Sequence, residues 1–139
     1  MSEHLPVLQV IVPLLAAPFV AFLRGRELAW WLTLVITGVT FAMSLALYAH
    51  VQDTGETLIY QMGGWAAPLG IVYVIDAASA LVLPIVSGIG FIVTLAARYL
   101  VGAEIDGRDH PLFYTAWLLT IAGMLGQITT GDAFNIFVF

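Results

Sequence analysis

A chain of 139 residues that is 61% hydrophobic and 9% charged, with a mean hydropathy of +1.00, lies far from soluble domains, which run near ~25% charged. It contains no cysteine, which excludes disulfides, thiolate nucleophiles and cysteine-ligated metals. Four arginines and no lysine face nine acids, for a net charge of −5; the basic footprint of a nucleic-acid binder is absent, and the acids are scattered instead of forming a tail.

In chain order, the first apolar run covers 5–23, LPVLQVIVPLLAAPFVAFL, with one amide and no charge. Crossing the ~30 Å hydrocarbon core takes about 20 such residues as a helix. A secretory signal carries basic residues before its apolar run; here Glu3 precedes the run and Arg24 and Arg26 follow it. The second run, 28–50, is also uncharged, with Trp30 and Trp31 near its start and Tyr48 near its end. The connection after it changes texture. LIYQM and IVYVI, rich in β-branched and aromatic residues, flank the turn-forming GGWAAPLG, and predict a short hairpin of 57–62 against 70–75. The alternative is an irregular loop anchored at headgroup level by Trp65 and Tyr73. The third run, 76–101, is charged only near its ends, at Asp76 and Arg98. The fourth, 111–130, opens on Pro111, a residue suited to a first helical position. A fifth begins near Ala133 and is unfinished at Phe139. Successive runs with almost no polar face leave nothing to meet water. The predicted fold is therefore an all-α polytopic membrane protein: four complete transmembrane helices, the start of a fifth, and a hairpin in the 51–70 connection.

Orientation follows from the basic residues, which concentrate in cytoplasmic loops. Arg24 and Arg26 lie in the first loop, and Arg98 and Arg108 flank the third connection. All four fall on one side, which predicts that side as cytoplasmic and places the N-terminus and the 51–70 connection outside.

Polar residues in or beside the spans are where function would show. An ionisable group in a membrane segment is costly and marks a candidate ion path, which singles out Asp76 and Asp132. Each also precedes a helix start, where a carboxylate accepts from free backbone N–H groups, so capping is the competing role. Pro84, Ser87, Gly88 and Gly90 cluster in the third span as a kink or a place of close helix approach; a broken helix lining a transport cavity is the sharper alternative. Thr120, Gln127, Thr129 and Thr130 add polar groups to the fourth span, suited to interhelical hydrogen bonds or to holding water. His4, His50 and His110 sit at edges of apolar runs without ligand spacing and read as interfacial. No phosphate loop, nucleophile elbow or HExxH occurs, so no metal, cofactor or enzyme is expected.

Two stretches carry a resemblance. GGWAAPLGIVYVIDAASAL, with Gly63-x-Trp65, Ala67-Pro68-x-Gly70-Ile71 and Asp76-x-x-Ser79-Ala80-Leu81, resembles the segment entering the third helix of D-type subunits of Mrp multisubunit cation/proton antiporters. AGMLGQITTGDAFNIFVF at the end resembles the same family more closely still. The resemblance implies the N-terminal part of a subunit that exchanges Na+ for protons inside a hetero-oligomeric complex of a bacterial inner membrane. It also implies that the fifth helix would continue into a membrane-buried glutamate just beyond Phe139, so the family's proton-carrying residues are expected outside this sequence, whose abrupt end reads as an incomplete frame. The alternatives are a proton-pumping antiporter-like subunit of complex I or of a membrane-bound hydrogenase, and a scaffold subunit that transports nothing.

Overall fold

The computed structural model describes residues 4–65 and 69–130. Helix α1, Leu5–Ala21, is followed by α2, Arg26–Thr54, strands β1, Leu58–Gln61, and β2, Val72–Ile75, then α3, Ala77–Glu104, and α4, His110–Thr129. The expected fifth run, with Asp132, lies outside the described residues.

Each helix boundary has a local cause. Leu5 and Pro6 open α1, where proline's missing N–H is no loss. Gly55 closes α2 at φ 65°, a left-handed conformation that only glycine adopts readily, and its N–H reaches the Val51 carbonyl at 2.8 Å. Asp76 caps α3, and Pro111 lies in the first turn of α4.

Helices α2, α3 and α4 are long and apolar enough to cross a membrane. Helix α1 differs from the expected span. It has 17 residues and two internal prolines, Pro13 and Pro18, and reaches about 26 Å at 1.5 Å per residue, a little short of the ~30 Å core.

The helices pair most closely as α2 with α3 and α1 with α4. Glycines and aromatic rings interlock the first pair. A Cβ on Gly38 of α2 would stand 3.3 Å from the Phe91 ring of α3, and one on Gly88 of α3 would stand 3.0 Å from the Phe41 ring of α2. The two rings stack with centroids 6.4 Å apart. Between α1 and α4, the small residues Ala16 and Ala17 are buried in one cluster with Tyr114 and Leu118 and allow close approach.

The hairpin forms in the predicted place. Strands β1 and β2 pair antiparallel from Leu58↔Ile75 to Gln61↔Val72, inside the 57–62 and 70–75 segments. Its inner strand closes one end of the bundle: Tyr73 and Ile75 are buried with Val10 and Leu47, Leu83 and Leu125 in a single apolar cluster. Burial pushes the Tyr73 phenol above its ordinary pKa. Trp65, in contrast, stays exposed, as an interfacial anchor would.

The distribution of polarity is inverted relative to a soluble fold. Leu14, Leu15, Phe19, Val35, Ile89 and Ile92 point outward, while Gln9, Thr33, Thr37, Thr40, Ser44, Ser87 and Thr94 are buried. Soluble proteins keep large aliphatic side chains inside; an apolar exterior around a polar interior fits a hydrocarbon surrounding.

Candidate functional site

The buried polar residues form a seam along the middle of the bundle. Helix α2 supplies Thr33, Thr37, Thr40 and Ser44, spaced by four, three and four residues, so all lie on one helical face. Helix α3 supplies Ser87 and Thr94, and α1 supplies Gln9. The hydroxyls are satisfied largely within their own helices. Thr33 donates to the Ala29 carbonyl at 2.8 Å, Thr37 to Thr33 at 2.9 Å, Thr40 to Ile36 at 2.8 Å, and Thr94 to Gly90 at 2.7 Å. Such back-bonding lets a hydroxyl sit in an apolar interior without a partner from another helix.

Three helices meet where the seam is crossed. Ser44 donates to the Thr40 carbonyl at 3.0 Å and accepts from Ser87 at 2.8 Å. Ser87 also lies 2.8 Å from the Leu83 carbonyl, and its one proton serves one of the two at a time. The Gln9 amide reaches across from α1, where Nε2 donates to the Thr40 carbonyl at 3.1 Å and to Ser44 Oγ. Its Oε1 is buried and accepts no hydrogen bond from the described residues.

Further along, Thr94 ties two tryptophans to α3. Trp30 Nε1 donates to its carbonyl at 2.8 Å, and Trp117 Nε1 donates to its hydroxyl at 2.9 Å. Beyond Trp30 lies the arginine end. Arg98 pairs with Glu27 at 2.9 Å and rests 4.8 Å from the Trp30 ring centre, and Arg26 donates to the Arg98 carbonyl at 2.9 Å. Arg26 also lies against Gly102, where a Cβ would collide with the guanidinium. The start of α2 and the end of α3 are thus clasped at this end of the bundle. Arg24 and Arg108 are exposed in the connections there.

Asp76 stands outside α3 and caps it. Its Oδ1 accepts from the Ser79 N–H at 2.7 Å, and that backbone bond, followed by the Ser79 side chain, holds the carboxyl below its ordinary pKa. The carboxylate is exposed at the hairpin end. Pro84 lies within α3, Ser87 on the seam, and Gly88 and Gly90 at contacts with the Phe41 ring and the Ile121 side chain. In α4, Thr120 and Thr129 donate to their own helix at Ala116 and Leu125, not across to a neighbour. The interhelical hydroxyl of that helix is Thr115, which donates to the Ala17 carbonyl of α1 at 3.1 Å as well as to Pro111. Gln127 is exposed, and Thr130 bridges to Tyr73.

The histidines separate into different environments. His4 is exposed and contacts the Tyr60 hydroxyl at 3.2 Å. His110 is buried at the start of α4. Its Nε2 donates to the Ile105 carbonyl at 2.7 Å, which fixes the ring. Among the described residues no three His, Asp or Glu side chains gather as a metal site would require.

The seam, the missed feature, had a signal in the sequence: hydroxyl residues at 33, 37, 40 and 44, with the lone amide of the first run at residue 9.

An apolar outer surface around a hydroxyl-rich interior defines a membrane helix bundle with a two-stranded hairpin at one end. Comparison with known proteins gives its relatives. Over its whole length the chain is 37% identical to the N-type subunit of the NADH-quinone oxidoreductase of Desulforudis audaxviator, of which it covers 28%. Over 99% of its length it is 35% identical to the D-type subunit of a probable K(+)/H(+) antiporter of Rhizobium meliloti and 28% identical to that of the Na(+)/H(+) antiporter of Alkalihalophilus pseudofirmus, covering 26% and 27% of them. Among solved structures it superposes on a chain of an archaeal membrane-bound sulfane sulfur reductase with a TM-score of 0.86, at 28% identity, covering 97% of this chain and 27% of that one. On a chain of the Mrp complex from Dietzia sp. the TM-score is 0.80 at 32% identity, covering 99% and 24%. No protein-family model matches the chain. The chain is thus similar along its whole length to subunits of multisubunit cation/proton antiporters and of an NADH-quinone oxidoreductase, and it spans about a quarter of the length of the relatives it matches.

Proposed function

We propose that the chain forms the N-terminal membrane segment, 1–139, of a D-type subunit in a multisubunit monovalent cation/proton antiporter. The observation that carries this reading is similarity along the entire chain to the D-type subunits of K(+)/H(+) and Na(+)/H(+) antiporters. The inverted polarity of the bundle supports it independently. In this reading α1 to α4 all cross the membrane, with α1 completing its crossing through Phe22 and Leu23. The arginine end, where Arg26, Arg98 and Glu27 meet, faces the cytoplasm, and Arg24 and Arg108 join it there. The N-terminus, Asp76 and the hairpin face outward. The segment works as a transporter part without a cofactor, in contact with lipid and with other subunits of the complex, while Na+ and protons are the transported ions. Asp76 then lies near the outer mouth, not at mid-membrane.

The test is transport by the full-length subunit assembled with its partners in everted vesicles, with Na+ or K+ added against an established proton gradient. Cation-dependent dissipation of the gradient is expected. A complex that assembles but moves no protons on cation addition would sink the reading.

A second reading has its own support, because the 37% relative is a subunit of a quinone oxidoreductase and the 0.86 structural neighbour belongs to a respiratory reductase complex. In that case proton movement in the same vesicles would require an electron donor and acceptor and would ignore the added cation.

A further inference from the structure

We propose that Gln9 holds a buried water molecule in the polar seam where α1, α2 and α3 meet. Its hydrogen bonds leave one acceptor over. Both Nε2 protons are used, by the Thr40 carbonyl and by Ser44 Oγ, while Oε1 is fully buried and accepts nothing from the described residues. Turning the amide over does not remove the problem. Oε1 would then face the Thr40 carbonyl, which can only accept, and the two amide protons would be left unpaired instead. The orientation is therefore fixed, and an acceptor remains open in a place that water from the bulk does not reach.

A second acceptor at the same residue lacks its regular donor. Position 13 is proline, so it has no N–H to give to the backbone carbonyl four residues earlier, which belongs to Gln9. The neighbouring seam adds only acceptor capacity. Thr37 and Thr40 each spend their proton on their own helix, which leaves lone pairs on their oxygens. A lining that offers acceptors and no free donor selects a ligand that donates. Water donates twice, is small enough for a helix junction, and is the usual occupant of buried polar sites of this kind. A bare cation would also suit acceptors, but among the described residues no carboxylate lies in the seam to balance its charge, and an uncompensated buried charge is strongly disfavoured. Water is the fitting occupant.

The proposal is independent of which ion the complete protein moves, so its test stands apart from the transport assay. The full-length subunit in its complex is imaged at a resolution that shows ordered water. In parallel, the same protein with 13C-labelled glutamine is reconstituted in lipid and magnetisation transfer from water to each glutamine Cδ is measured. A water-sized density about 2.7–3.2 Å from Gln9 Oε1 is expected, together with transfer to Gln9 Cδ, which disappears in Gln9→Leu while Gln61, exposed on the hairpin, is unchanged. Three results would overturn the proposal: no density at Oε1 where waters elsewhere are resolved, a protein side chain donating to it, or a density that depends on Na+ or K+ in the buffer. Absence of transfer to Gln9 Cδ in a sample where Gln61 responds would overturn it as well.

Discussion

Gly88 tests how tightly the central helices interlock. Its ideal Cβ would lie 3.0 Å from Phe41 Cε2, 3.4 Å from Cδ2 and 3.6 Å from Cζ, so the first methyl group meets the edge of a ring that stacks on Phe91. Alanine introduces two opposing terms. Moving the ring a few tenths of an ångström costs about 0.5–1.5 kcal/mol in strained rotamers, while a glycine removed from a helix interior returns about 1 kcal/mol. Gly88→Ala should therefore change stability by less than about 1 kcal/mol. Gly88→Val places a further methyl towards the same ring, and overpacking of this kind costs about 1–3 kcal/mol. Shortening the obstacle should relieve it: Gly88→Val combined with Phe41→Leu is expected to be at least about 1 kcal/mol more stable than the two single changes predict when added. The measurement is unfolding of the full-length subunit by SDS titration in mixed micelles, with Gly107→Val, which has open space around its Cβ, as the control. If Gly88→Val were as harmless as Gly107→Val, or if Phe41→Leu gave no relief, the α2–α3 packing described above would be wrong.

Other expectations follow from the caps and the arginine end. Asp76→Ala should lose about 0.5–2 kcal/mol, and Asp76→Asn should lose little because asparagine caps comparably; complete loss of transport in Asp76→Asn with normal assembly would instead give the charge a role in the ion path. Because the folded state lowers the Asp76 pKa, the carboxylate's contribution is present above its unfolded value near ~3.9 and is lost as pH falls through the lower folded value. The stability gap between the wild type and Asp76→Ala should accordingly narrow on acidification below about pH 4, and a gap that widened would contradict the cap. Arg98→Lys keeps the charge facing Glu27 but gives up the planar stack on Trp30, so it should cost less than Arg98→Ala, whose loss is limited to about 1–2 kcal/mol for a partly exposed pair with a ring contact. For topology, a single cysteine at Glu56 should react with an impermeant reagent in intact cells while one at Asp106 stays protected, and the reverse pattern would invert the bundle.

Much of this architecture was legible because its causes are local. Twenty-residue apolar runs, proline at a helix start and β-branched strands around a glycine-rich turn each act within a few residues of themselves. The hairpin could be placed to within one or two residues for that reason. The seam was harder, although hydroxyls at 33, 37, 40 and 44 share a face. In a membrane helix both faces are mostly apolar, so periodicity does not say which face meets protein and which meets lipid. That choice depends on Gln9 and Ser87, 35 residues before Ser44 and 43 after it. The partner of His110 was hidden for a similar reason. Its position at the edge of a run suggested an interface, and only the folded chain brings the carbonyl of Ile105, in the turn just before it, against the ring. Likewise the pairing of Arg98 with Glu27 and Trp30 joins residues distant in sequence, and charge counting alone placed the arginines on one side without indicating that they clasp two helices.

The seam is polar, yet its bonding argues against a continuous proton wire within these four helices. A Grotthuss chain needs each group to accept from one neighbour and donate to the next. Here Thr33, Thr37, Thr40 and Thr94 donate instead to carbonyls of their own helices, so a proton arriving at any of them has no onward hydroxyl. Among the described residues only the link from Ser87 to Ser44 joins hydroxyls of different helices, and Ser44 ends it by donating to the Thr40 carbonyl. A water at Gln9 would satisfy an acceptor without bridging those breaks. Asp76, the ionisable site residue visible at the hairpin end, is exposed and committed to the Ser79 N–H. The physical role best matched to this pattern is a bundle whose hydroxyls bond largely within their own helices, that tolerates hydrocarbon on its outer face and orders the entry to α3. In the antiporter reading, proton transfer through the membrane interior would then depend on groups outside the described residues, with these helices fixing the framework against which those groups act.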